Sequence, residues 1–269
     1  MVDLGLDGKI ALVAGAGRDL GRATAVTLAR EGAHVLLGGR SADMLEETAA
    51  LIRGDGGRAG IHVFDAMDGD SVAAAVAAIL AVHGRIDLFA NTVGPFPARE
   101  PGTAPPYGSD ASWLAAFDRI FLTAARLGRT VVPAMKAAGQ GAVVNVLANS
   151  VRHYSESTAQ YGAMKAALAH LVKNLARDVA GSGVRVNAVL PGWIRTAALD
   201  GAIASQAAEA GVSPREIERR MMAGHGAAFW GDRMGAPQEY ADAIVFLLSE
   251  RASYINGALV PVDGGSQIT

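Results

Sequence analysis

Short apolar runs alternate with amphipathic stretches along the whole chain. The runs predict strands near 9–14, 33–38, 59–64, 86–91, 142–148, 183–189 and 257–262. The stretches between them fit helices over 19–31, 41–53, 69–83, 112–137, 158–180 and 237–250. Strands alternating with helices of this length make βαβ units, and right-handed crossovers place helices on both faces of a parallel sheet. The pattern predicts an α/β fold: a single domain over 1–269, doubly wound around a mainly parallel seven-stranded sheet.

Two stretches break the rhythm. Pro95 to Asp110 holds five prolines and predicts a long loop. Ala197 to Gly235 follows a Pro-Gly turn and carries short helical patterns of its own, such as Pro214 to Met222. Both follow strands, and ligands of open α/β sheets bind beyond the strand C-termini, so these segments are expected to shape a substrate pocket. Met221, Met222, Phe229, Trp230 and Met234 are candidates for its apolar lining, with packing on the domain as the other reading. Asp232 and Arg233 predict an exposed turn pair.

Composition narrows the function classes. With 269 residues, 51% of them hydrophobic, and 33 glycines, the chain suits one large α/β domain. A net charge of −2 leaves no electrostatic footprint for nucleic acid. The absence of cysteine excludes disulfides, thiolate metal sites and a cysteine nucleophile. Six histidines form no close pair of the metal-binding kind, so no metal is expected. His153 follows the fifth strand and is weighed as a substrate-facing residue against an ordinary loop residue. The first nine residues carry two acids and no apolar core, unlike a signal peptide. The run Val72 to Val82 is too short for a bilayer, which needs about 20 residues. These features predict a cytoplasmic protein with a small-molecule substrate and no nucleic-acid or membrane partner.

Two motifs carry the candidate chemistry. Gly15, Gly17 and Gly21 lie in or just after a turn joining the apolar strand Lys9–Val13 to a helix. Small residues there let the backbone approach a phosphate, which the helix N-terminus attracts. At the end of the second strand Arg40 stands where an acid would grip a ribose 2′-hydroxyl, and Arg18 projects from the turn. Guanidinium groups suit a 2′-phosphate, which favours NADP(H) over NAD. The second motif is Tyr161 and Lys165, four apart and therefore on one helix face. A nearby ammonium is expected to lower the tyrosine pKa and make its hydroxyl a usable proton donor or acceptor.

Taken in order along nearly the whole chain, these segments resemble the short-chain dehydrogenase/reductase family, a single-domain Rossmann fold. Gly15 to Gly21 matches the family's TGxxxGxG turn, and Asp65 the acid that contacts adenine. Asn91-Thr92-Val93-Gly94 resembles NNAG, Tyr161 to Lys165 is an intact YxxxK, Asn187 to Thr196 resembles the segment beside nicotinamide, and Val262-Asp263-Gly264-Gly265 matches the usual ending. The resemblance implies a dinucleotide site formed by Gly15, Gly17, Arg18, Leu20, Gly21, Arg40, Asp65, Ala66, Asn91, Gly94, Tyr161, Lys165, Pro191, Gly192, Ile194 and Thr196. It also implies that Tyr161 protonates a developing alkoxide, that Lys165 touches the nicotinamide ribose, and that the long helices Leu114–Met135 and Ala159–Ala180, with the C-terminal segment, build a homotetramer or homodimer.

The chain departs from that pattern at three positions. The middle glycine of the turn is Asp19; the family serine thirteen residues before the tyrosine is Ala148; the family asparagine is Ile120. Alanine cannot donate to an oxyanion, and loss of such a donor costs about 100- to 1,000-fold in rate. Three readings follow. Asn149 or Ser150 supplies the donor, with Ser150 the catalytic candidate weighed against an ordinary loop hydroxyl; the substrate is an enone or imine needing one proton donor; or the scaffold binds a dinucleotide without redox turnover, as a binding module or a cyclisation catalyst.

Overall fold

The computed structural model describes residues 3–94, 108–152, 159–223 and 233–266. The described part of the chain alternates strand and helix as the apolar pattern predicts. The strands are β1 (Ile10–Ala14), β2 (His34–Gly39), β3 (Arg58–Val63), β4 (Leu88–Asn91), β5 (Gly141–Val146), β6 (Val184–Pro191) and β7 (Leu259–Val262). They form one parallel sheet in the order β3-β2-β1-β4-β5-β6-β7. The order reverses between β1 and β4, whose ends meet in register at Ala14 and Asn91. A crevice opens beyond the strand ends at such a reversal.

Helices cover both faces. On one face α1 (Asp19–Arg30), α2 (Ala42–Gly54) and α9 (Pro237–Leu248) bury Leu28, Leu45 and Ile244 against Val13, Val35 and Leu37. On the other, α3 (Gly69–His83), α5 (Thr123–Ala138) and α6 (Ala159–Asp178) bury Ile79, Leu127 and Val172 against Leu12, Phe89 and Val186. These strands are apolar on both sides, as a parallel sheet covered twice requires.

Two elements differ from the sequence expectation. The single helix expected over 112–137 is α4 (Asp110–Ala116), a π-turn (Phe117–Leu122) and then α5. The wider turn displaces successive side chains around the axis, a device common beside functional sites. The late stretch from Ala197 is also more helical than expected, with α7 (Ala197–Ala210) preceding α8 (Pro214–Ala223). Thr196 caps α7, its Oγ1 accepting from the Leu199 amide at 3.2 Å. Met222 and Met234 do not line the cleft between the strand ends. They are buried with Ile203, Ala207 and Ile217 in a small core under α7 and α8, with Met221 packed beside them. Arg233 forms a bidentate surface pair with Glu239 at 2.7 and 2.8 Å. The proline-rich segment up to residue 107, His153, Phe229, Trp230 and Asp232 lie outside the described residues.

Candidate nucleotide and catalytic cleft

A cleft of about 1120 Å³ runs along the C-terminal ends of the strands. Its near end is the turn after β1. Gly15 adopts φ +88 and donates its amide to Gly38 O at 2.8 Å, and Ala16 donates to the same oxygen at 3.1 Å. A side chain at Gly21 would overlap the Gly15 carbonyl and stand 2.7 Å from Thr92 Oγ1, so the turn can close on α1 only with glycine there. Arg22, which sequence reasoning missed, pins the turn from outside by donating to Gly17 O and to Glu47, each at 2.7 Å.

Arg18, Arg40 and Asp65 all face this end. Arg18 and Arg40 stay exposed after the turn and after β2. Asp65 is held by a loop contact, its Oδ1 accepting from the Met67 amide at 2.9 Å. The cradle closed by Gly21, the N-terminus of α1 and two guanidinium groups fits a phosphorylated dinucleotide.

Asp19 is the only described non-glycine residue with positive φ, at +45. It lines the cleft, and both of its carboxylate oxygens face a partner. Oδ1 accepts from the Ala197 amide at 3.1 Å, and Oδ2 stands 3.8 Å from Arg18 Nε.

The far end holds the chemistry. Tyr161 and Lys165 face the cleft from the first turns of α6. Lys165 Nζ donates to Val146 O at 2.8 Å and lies 5.5 Å from the Tyr161 ring centroid. Burial dominates both groups. It pushes the Tyr161 hydroxyl up to about 12 and the Lys165 ammonium down to about 8. This corrects the expected lowering of the tyrosine pKa. The ammonium sits over the ring, and desolvation, which spacing alone does not reveal, wins.

Beyond β5, Leu147, Ala148, Asn149 and Ser150 line the cleft. Ala148 is buried and presents only its methyl. Ser150 Oγ is buried without a hydrogen-bond partner. It packs on the helix turn beside Tyr161, where a Cβ added at Gly162 would stand 3.8 Å from Ser150 Oγ. Asn149 Nδ2 donates to Ser266 Oγ at 3.3 Å, and Ser266 donates to Asp263 at 2.9 Å.

The π-turn adds Arg119 and α5 adds Thr123 to the lining, while Ile120 is buried away from water. Trp193, Ala198, Leu199 and Ala202 add an apolar patch. The sequence carries no distinct signal for Arg119, Thr123 or Ser266.

Of the expected site residues, all but Asn91 line the cleft. Asn91 lies behind it. Its Nδ2 donates to Asn145 at 3.0 Å and its Oδ1 accepts from the Val93 amide at 3.2 Å, so the side chain ties β4 to β5. Among the described residues no cluster of ligating side chains suits a metal, and no helix is long and apolar enough to cross a membrane.

Residues 15–267 match the profile of a family described as Enoyl-(Acyl carrier protein) reductase. The chain is 34% identical to cis-4-hydroxycyclohexanecarboxylate dehydrogenase of Sinomonas cyclohexanicum, over 96% of each. It is 30% identical to gluconate 5-dehydrogenase of Gluconobacter oxydans, over 98% of this chain and 96% of that one. Among solved structures, L-sorbose reductase from Gluconobacter frateurii, complexed with NADPH and L-sorbose, superimposes with a TM-score of 0.91 at 30% identity over 100% of both chains.

Proposed function

This chain belongs to the short-chain dehydrogenase/reductase family and is an oxidoreductase, and from that premise we propose that it is an NADPH-dependent reductase of a small-molecule carbonyl. The observation that carries the reading is that Tyr161, Lys165 and Ser150, whose hydroxyl has no hydrogen-bond partner, line one cleft whose other end fits a phosphorylated dinucleotide.

NADPH, when bound, supplies the hydride. Tyr161 is protonated at neutral pH, as tyrosine is at its ordinary value, and burial raises its pKa further; the protonated hydroxyl is the state needed to donate to a developing alkoxide. Lys165, still mostly cationic at pH 7, stabilises the phenolate left behind. Ser150 replaces the donor missing at Ala148, its Oγ–H orienting the substrate oxygen. Arg40 and Arg18 would hold a 2′-phosphate, which makes NADP(H) the preferred cofactor. The apolar patch from Trp193 to Ala202 suits a substrate with a hydrocarbon face next to its reducible group.

The test is NADPH oxidation across a panel of ketones, enones and imines. Tyr161→Phe should abolish turnover while leaving NADPH affinity within about twofold, and Ser150→Ala should lower kcat about 100-fold. Titration with both cofactors should show NADPH binding more tightly than NADH. The apolar, buried positions Ala148 and Ile120 favour a second reading, dinucleotide binding without redox turnover. A protein that binds NADPH but oxidises none across the panel would establish it. The same premise predicts a homodimer or homotetramer through α4, α5 and α6, where Leu114 and Phe117 are left exposed, and light scattering would read a monomer if it is wrong.

A further inference from the structure

Asp19 stands at a position where the backbone adopts φ +45, a region that suits glycine and that aspartate tolerates better than most residues. The side chain held in this strained place ignores its own helix. It crosses 178 residues of sequence to accept the Ala197 amide at 3.1 Å, the first N–H of α7. A second amide of that turn, Leu199, is taken by Thr196 Oγ1 at 3.2 Å. The start of α7 is therefore held by two caps, one of them supplied by the phosphate turn.

The two elements joined in this way both line one cleft. Arg18, Leu20 and Gly21 line it from the turn; Thr196, Ala198 and Leu199 line it from α7. Arg18 Nε, 3.8 Å from Oδ2, offsets the charge that the carboxylate brings near a phosphate site.

We propose that Asp19 is a positioning residue that clamps the start of α7, and Thr196 with it, to the phosphate turn, fixing the spacing between the two halves of the dinucleotide site. The proposal rests on the nucleotide reading above. It differs from a simple repulsive defect in the turn, because one carboxylate oxygen is spent on an amide of α7.

The experiment compares wild type with Asp19→Gly, which the backbone accepts, and Asp19→Asn, which keeps an acceptor oxygen. The ligands are NADPH, which spans both halves, and 2′,5′-ADP, which occupies only the adenosine half. Asp19→Gly should weaken NADPH five- to tenfold and leave 2′,5′-ADP within twofold, while Asp19→Asn stays within twofold for both. Amide hydrogen exchange on the ligand-free proteins supplies the second readout. The Ala197 amide should lose at least tenfold in protection in Asp19→Gly and keep it in Asp19→Asn. Equal or tighter NADPH binding by Asp19→Gly, an equal loss for 2′,5′-ADP, or unchanged exchange at Ala197 would each overturn the proposal. A wild-type protein that binds neither ligand would overturn the nucleotide reading instead, with exchange alone deciding whether the clamp exists.

Discussion

Lys165 is a charged side chain with 2% of its surface exposed, and its cost to the fold can be measured. Burial lowers its pKa from 10.5 to about 8. The unfolded chain, with the ordinary value, therefore holds this proton over a pH range in which the folded protein has released it. Stability rises with pH wherever the unfolded state binds more protons, so the contribution climbs between about 8 and 10.5 and is flat below. Each tenfold loss of proton affinity corresponds to about 1.4 kcal/mol. Integrated from pH 7 to pH 10, the expected gain is on the order of 2 to 3 kcal/mol. Every other titrating group contributes as well, so the quantity to measure is a difference against Lys165→Met, in which this contribution vanishes. Urea unfolding of both proteins at half-unit steps of pH, followed by tryptophan fluorescence, provides it. Wild type should gain roughly 2 to 3 kcal/mol on the variant across the range, with a midpoint of rise above pH 8. Parallel stability curves, within about 0.5 kcal/mol, would show that the ammonium is well solvated in the folded protein and would remove the physical basis for its depressed pKa.

Three other outcomes follow from the same geometry. The rate of NADPH-dependent reduction, as kcat/KM, should fall as pH rises through about 8, because Lys165 then loses the charge that stabilises the Tyr161 phenolate; a profile flat to pH 10 refutes this. Gly21→Ala forces a methyl against the Gly15 carbonyl, which cannot retreat without breaking its turn, and should weaken NADPH binding by about 3 kcal/mol, roughly 100-fold, in a fluorescence titration. Gly201→Ala, inside α7 with nothing within 4 Å of the added Cβ, should instead stabilise the protein by about 0.8 kcal/mol and raise Tm by about 2 °C.

The apolar rhythm locates every described strand and most helix boundaries because each βα unit buries a different side from solvent, and periodicity records that. It cannot find the π-turn at Phe117–Leu122, since one extra residue per turn leaves no mark in composition. It passes over α7 for a similar reason. Ala197–Ala210 is half alanine with weak contrast between faces, and motif matching marks Thr196 as a cofactor contact rather than as a cap. The site is legible where chemistry is carried by residue type, as at Tyr161, Lys165 and the glycine turn. It is illegible where environment decides. Asn91 is spent tying two strands, the sign of the tyrosine shift comes from burial, and the reach of Asp19 depends on a helix that begins 178 residues later.

The contact between Asn149 and Ser266 has a temporal consequence. The short turn carrying Ser150 is braced from behind by a side chain 117 residues further on, itself anchored by Asp263 just past the last strand. A chain emerging from the ribosome can assemble β1 to β5 and bury much of its core while that brace is still unmade. The parallel sheet ends in β7, whose only neighbour among the described strands is β6, so the brace arrives with the final pairing. Maturation of the catalytic end should thus lag behind collapse, and a nascent chain halted before β7 would hold a largely formed nucleotide turn beside an unbraced serine.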